Sequence, residues 1–177
     1  VALSHRSRAT ALTGCDHMID ANQTLFVNTH PSEDLFKDVL ISLTEMREAR
    51  PDQPIAIEIH ERAVTSVGQI NQFATELMDL NIQFAYDDFG AGQARLCELV
   101  EVPPSYIKFD ASLVQNLHTA PNVQRRLVKS LVRTAQDVGS LTLAECIEDR
   151  DAADVCIDLG FDLIQGYLFG RPTNPCV

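Results

Sequence analysis

Short apolar, β-favouring runs alternate along this chain with longer stretches in which apolar side chains recur every three or four positions. Thr24-Leu-Phe-Val-Asn28 is the first such run. Ser32 to Asp34 then offers a cap for a helix with Leu35, Val39, Leu43 and Met46 along one side. Pro54-Ile-Ala-Ile-Glu58 predicts a second strand, and Thr65-Ser66 opens a helix whose stripe is Val67, Ile70, Phe73, Ala74, Leu77 and Met78. A third strand, Ile82-Gln-Phe-Ala-Tyr86, ends in Asp87-Asp88-Phe89-Gly90-Ala91-Gly92. After a short helix over Arg95 to Leu99, Pro103-Pro104 punctuates before the strand Ser105-Tyr-Ile-Lys-Phe109. Pro121 starts a long helix carrying Val123, Leu127, Val128, Leu131, Val132, Ala135 and Val138, and Gly139 ends it. Leu141-Thr-Leu-Ala144 predicts a fifth strand, Asp149 to Gly160 a helix with Ala152, Val155, Cys156 and Leu159 inside, and Phe161-Asp-Leu-Ile164 a sixth strand.

Strands separated by helices imply right-handed βαβ units and a parallel sheet. Two architectures compete, an open doubly wound sheet and a closed (β/α)8 barrel. No G-x-G-x-x-G or G-x-x-x-x-G-K-[ST] loop follows any strand, which weakens the nucleotide-binding open sheet. Asn28, Glu58, Asp87, Asp88, Lys108, Glu145 and Gln165 all fall at or just past the C-terminal end of a predicted strand, and they come from six strands. An open sheet would spread those ends along an edge, whereas a barrel gathers them into one mouth. At 177 residues the chain is shorter than a typical barrel of about 250, by roughly two βα units. Val1 to Ala21 shows only one helical stretch, so the missing units fall there.

Composition narrows the class. The chain carries 14 Lys+Arg against 25 Asp+Glu, a net charge of −11, which argues against a surface that coats DNA or RNA. An acidic protein that handles phosphates needs metal cations to hold them. No apolar run is long enough for a membrane span. Cys15, Cys97, Cys146, Cys156 and Cys176 are scattered and odd in number, which favours a reducing compartment over a disulfide framework.

Glu58, Asp87, Asp88 and Glu145 with the amide of Asn28 form an all-oxygen donor set, which suits Mg²⁺ or Mn²⁺ rather than zinc. Two such ions about 4 Å apart can activate a water and stabilise a leaving oxygen in phosphodiester cleavage. Lys108 adds a cation for phosphate or for the attacking water. Each element has a plainer reading by itself: strand-end carboxylates cap helices, Asp-Asp pairs make turns, and Lys108 beside Asp110 makes a surface ion pair. Their joint placement at successive strand ends favours the site.

Five segments in order carry a resemblance: Glu58-Ile-His-Glu61, Asp87-Asp-Phe-Gly-Ala-Gly92, Ile107-Lys-Phe-Asp110, Ala144-Glu-Cys-Ile-Glu148 and Gln165-Gly-Tyr-Leu-Phe-Gly-Arg-Pro172. Together they resemble the successive motifs of the EAL-domain family, bacterial cyclic di-GMP phosphodiesterases with a modified TIM barrel. The similarity runs over residues 24–172, with 1–23 poorly matched, so 1–177 is expected to form a single EAL-type domain. The fold class implied is α/β, a modified TIM (β/α)8 barrel lacking its first one or two βα units in this chain.

The resemblance implies a role for each residue. Asn28, Glu58, Asp87 and Asp88 would ligate metal, and Glu145 would ligate metal or act as general base. Lys108 would contact the phosphate or the nucleophilic water, with Asp88 beside it in the catalytic set. Glu61 would anchor the Asp88–Gly92 loop, and Glu148 and Gln165 would complete the substrate pocket. One or two Mg²⁺ or Mn²⁺ ions and cyclic di-GMP are the implied cofactor and ligand, with linear pGpG as product. The family also implies a homodimer, a GGDEF or sensor domain attached in the full-length protein, and a cytoplasmic domain whose parent protein can be membrane-anchored. Neither DNA nor direct membrane contact is implied.

The chain departs from the family upstream. Val1-Ala2-Leu3-Ser4 is the only match to the Glu-Ala-Leu motif, and Val1 stands in place of its metal-binding glutamate. The short interval from Leu3 to Asn28 leaves two alternatives, an N-terminally incomplete domain or a copy that has lost the motif. His60 replaces the usual threonine, and Gln93-Ala-Arg95 a hydroxyl-rich segment. The enzyme reading therefore competes with a catalytically silent cyclic di-GMP receptor or protein scaffold. A sugar- or acid-processing barrel enzyme would require the motif matches to be coincidence.

Overall fold

The computed structural model describes residues 8, 22–30, 32–60, 66–91 and 96–171, the side chains of 96–98 excepted. The chain divides into two compact units, Val1–Ala85 with Thr173–Val177, and Tyr86–Pro172. Strands follow chain order in the sheet: β1 (Leu25–Asn28), β2 (Ile55–His60), β3 (Gln83–Phe89), β4 (Tyr106–Phe109), β5 (Leu141–Ala144) and β6 (Leu163–Ile164). The boundary between the units falls inside β3.

In the first unit β1 and β2 pair in parallel, with Leu25 opposite Ile55 and Asn28 opposite Glu58. Ile55, Ala56, Ile57 and Ile59 of β2 are all buried, the mark of a parallel strand covered on both faces. Asp34 accepts hydrogen bonds from the Phe36 and Lys37 N–H groups and caps a π-helical turn, Leu35–Val39, that runs into α1 (Leu40–Ala49). Ser66 caps α2 (Val67–Asp79), which buries Ile70, Phe73 and Leu77. Met78, counted in that stripe from the sequence, is 77 % exposed, because the helix turns it off the buried face. Arg47 donates to the carbonyls of Arg50, Pro51, Gln53, Leu80 and Asn81, tying together the chain ends that follow α1 and α2.

The second unit contains α3 (Leu96–Glu101), α4 (Ala111–Val114), α5 (Asn122–Asp137) and α6 (Arg150–Leu159). β4 pairs in parallel with β5, and β5 with β6. Phe109 packs edge-on against Phe89 at 5.1 Å and Phe161 at 5.0 Å between ring centroids, in the middle of this core. Asp149 caps α6 through the Ala152 N–H, and Gly160, at φ 94°, closes it in the left-handed conformation. Asp162 accepts from both the N–H and the hydroxyl of Thr142, fixing the start of β6 against β5.

The structure revises several sequence expectations. β3 continues to Phe89, so Asp87 and Asp88 lie within its last residues rather than past its end. β6 is two residues long, not four. α4 was not expected; the Asp110 carboxylate starts it by accepting from the Ser112 N–H. Val123 and Leu127 of α5 are 65 % and 56 % exposed, because the buried stripe runs through Val128, Val132 and Ala135 on another face.

Candidate metal centre

Three carboxylates meet in the second unit. One oxygen each from Asp87, Asp88 and Glu145 lies within 4.8 Å of the others. β3 delivers the two aspartates, and the residue after β5 delivers the glutamate. Lys108 sits in β4 with its side chain buried, and its Nζ lies 2.9 Å from both Asp87 Oδ1 and Glu145 Oε1. A lysine is tolerated there because carboxylates flank it on both sides. Lys108 therefore does not form the surface ion pair with Asp110, which is the cap of α4. The donor set is oxygen only, the chemistry of a hard divalent cation.

Backbone geometry at this centre is unusual. Asp88 adopts φ 57° and Cys146 φ 56°, left-handed values that non-glycine residues seldom take. Such conformations cluster at functional sites, where the surrounding fold enforces them. At Cys146, burial pushes the thiol pKa up, and the negative charges of Glu145, Asp110, Glu148 and Asp88 push it further. The thiol thus stays protonated at neutral pH and is a poor nucleophile.

A cavity of about 330 Å³ opens beside the cluster, lined by Glu145, Cys146, Glu148, Gln165, Gly166 and Tyr167. Gly166 is obligatory there, because a Cβ would stand 2.0 Å from Ile147 O and 2.3 Å from Ile147 N. The close approach lets Ile147 N–H donate to Gln165 O and Leu168 N–H to Ile147 O. Glu148 and Gln165 thus line the same cavity as Glu145. Sequence reasoning did not single out Tyr167; the glycine between Gln165 and Tyr167 was the signal for a tight approach.

Asn28 and Glu58 belong to the first unit, where they are register partners at the ends of β1 and β2. Glu58 is buried and Asn28 exposed. Arg8 is buried behind Asn28, donating to its carbonyl, to Ser42 Oγ and to both oxygens of Glu33. Burial alone would raise the Glu33 pKa, but the bonds from Arg8 and the His30 N–H outweigh it and hold the carboxyl below its ordinary value. Glu61 lies outside the described residues.

Parallel strands in chain order, helices between them and carboxylates at strand ends define an α/β protein of the TIM-barrel class. A manganese and cyclic di-GMP complex of Klebsiella pneumoniae BlrP1 superposes with a TM-score of 0.84 at 30 % identity, over 97 % of this chain and 44 % of that one. The EAL domain of Mycobacterium smegmatis DcpA shares the fold at a TM-score of 0.84 and 24 % identity, over 97 % of this chain and 78 % of that one. The EAL domain profile matches residues 8–172, and the chain belongs to that family. The cyclic di-GMP phosphodiesterase RocR of Pseudomonas aeruginosa is 33 % identical over 153 residues, 84 % of this chain. PdeB of Shewanella oneidensis, a cyclic di-GMP phosphodiesterase, is 35 % identical over 124 residues, 69 % of this chain. This chain spans 38 % of RocR and 14 % of PdeB. No helix among the described residues is long and apolar enough to cross a membrane.

Proposed function

We propose that this chain is the EAL-type domain, over 1–177, of a divalent-cation-dependent phosphodiesterase that hydrolyses cyclic di-GMP to linear pGpG. The observation that carries the reading is the convergence of Asp87, Asp88 and Glu145 around the buried Lys108 ammonium. The phosphodiesterase names of the relatives and the bound cyclic di-GMP of BlrP1 support it.

Asp87, Asp88 and Glu145 would hold a cation of the Mg²⁺ or Mn²⁺ class, with Asn28 and Glu58 as further ligands. When bound, the cation lowers the pKa of water and stabilises the leaving oxygen. Glu145 either adds a ligand oxygen or takes the proton of the attacking water as general base. Lys108, held between Asp87 and Glu145, directs its N–H donors to a phosphate oxygen or to that water. The water oxygen would bond to phosphorus as one ester P–O bond breaks, and the departing ribose oxygen would take a proton from solvent to leave as a hydroxyl, while the proton removed from the attacking water passes to solvent. Glu148 and Gln165 bind substrate in the adjoining cavity, and Glu61 anchors the Asp88–Gly92 loop. In the same reading the domain works in the cytoplasm as a homodimer, in a parent protein that also carries a GGDEF or sensor domain.

Incubation with cyclic di-GMP and Mn²⁺ or Mg²⁺, with pGpG read by chromatography, tests the proposal. Metal-dependent pGpG that disappears on chelation is the expected result. Binding of cyclic di-GMP with no product under either metal would instead establish a receptor.

A further inference from the structure

Resting on the phosphodiesterase reading, in which Asn28 and Glu58 add ligand oxygens to the cation, we infer that Thr29 is a positioning residue whose hydroxyl fixes Glu58 relative to Asn28. Those two residues are register partners in the last rung of the β1–β2 pairing. β1 ends at Asn28, whereas β2 runs on to His60. Thr29, one residue past β1, is nevertheless only 9 % exposed. Its N–H donates to Glu58 O at 3.0 Å, and its Oγ1 donates to the same oxygen at 2.8 Å. The next amide turns away, His30 N–H donating to Glu33 Oε2 at 2.7 Å. Thr29 therefore closes the pairing at the point where the two strand ends carry their oxygen donors.

The N–H bond alone is ordinary parallel pairing, which any residue but proline would make. The hydroxyl bond is particular to this side chain. A carbonyl oxygen has two lone pairs, so Glu58 O takes both donors without competition. Threonine is β-branched and stiff at χ1, so its buried hydroxyl holds its direction. Both bonds end on the carbonyl next to the Glu58 Cα, and both come from the residue joined to Asn28. This chelate fixes the spacing between the two backbone positions from which the ligand side chains leave. Ligand atoms must stay within about 0.5 Å of their productive places. Loss of a hydrogen bond behind a metal ligand typically costs about 10–100-fold in metal affinity.

Thr29→Val tests this, because it keeps shape and β-branching, removes the hydroxyl donor and leaves Glu58 O its N–H bond. Mn²⁺ titrated into the substrate-free full chain can be followed by the loss of its free-ion electron paramagnetic resonance signal. Thr29→Val should bind Mn²⁺ about tenfold more weakly than the wild-type protein. Its turnover of cyclic di-GMP should need about tenfold more Mn²⁺ and reach the wild-type kcat at saturation. Thr29→Ser, which restores the hydroxyl, should recover most of the affinity. In a Glu58→Gln background Thr29→Val should weaken binding no further, because its effect passes through Glu58. Thr29→Ala carries the same expectations where Thr29→Val does not fold. Wild-type Mn²⁺ affinity in the folded variant, or equal losses in both backgrounds, overturns the inference and leaves the phosphodiesterase intact. If the wild-type chain neither binds Mn²⁺ nor cleaves cyclic di-GMP, the phosphodiesterase reading fails and this inference with it.

Discussion

Each unit of this molecule buries a basic side chain among acidic ones, but the two arrangements close differently. In the first, Arg8 donates from all three guanidinium nitrogens to Glu33, Ser42 and the Asn28 carbonyl, and one cation meets one carboxylate. In the second, the Lys108 ammonium stands among Asp87, Asp88 and Glu145, one positive charge against three negative. The first set is balanced and matched in geometry, as a structural pair must be when removed from water. Counted with Lys108 alone, the three carboxylates of the second carry a formal excess of two negative charges, which a further cation would offset. Balanced charge marks scaffold, and excess charge marks a site.

The largest effect that separates the two sets is on turnover. Asp87→Ala should reduce pGpG formation roughly a thousandfold or more, since it removes a proposed metal ligand and one of the two carboxylates that hold Lys108. Its melting temperature should stay close to that of the parent, and a fold lost along with activity would break the contrast. Arg8→Ala should do the reverse. By leaving the Glu33 carboxylate buried and unpaired, it should cost about 3–5 kcal/mol in urea unfolding. Gly166→Ala tests the cavity wall: a methyl driven into the Ile147 backbone should cost about 1–3 kcal/mol and raise KM for cyclic di-GMP.

The smallest effect is a pH dependence. Glu33 is held below its ordinary pKa when folded, so its contribution is full above the unfolded carboxylate value and is lost as pH falls through the folded one. The urea midpoint should therefore decline as pH drops below about 4.5, and Glu33→Gln should decline less steeply from a lower start. An unchanged slope in that variant would remove Glu33 from the balanced pair.

Much of this was legible in the chain. The strand runs, the caps at Asp34, Ser66 and Asp149, and the closing Gly160 follow from local chemistry, so the sequence carries them directly. The clustering of Asp87, Asp88 and Glu145 followed from parallel strands placing their C-terminal ends on one side. Partner choice was less legible. Lys108 is two residues from Asp110, yet its partners arrive from β3 and from the end of β5, a result of sheet register rather than sequence distance. Exposure of Val123 and Leu127 was hidden because six apolar positions in α5 outnumber those its buried face can take. Arg8 was unreadable for the opposite reason, since arginine is ordinarily a surface residue and only the fold supplies Glu33 and Ser42. The Tyr167–Arg171 contact left a trace in a four-residue spacing, but the turn after β6 was needed to bring the pair together.

Manganese binding is the most direct test of the central distinction. Mn²⁺ titrated into the wild-type chain, Asp87→Ala and Glu33→Gln can be followed by the loss of its free-ion electron paramagnetic resonance signal. The account predicts binding by the wild-type protein, at least a tenfold weaker affinity in Asp87→Ala, and wild-type affinity in folded Glu33→Gln. Equal affinity in the wild-type protein and Asp87→Ala would contradict it, because the excess charge around Lys108 would then not be what holds the ion.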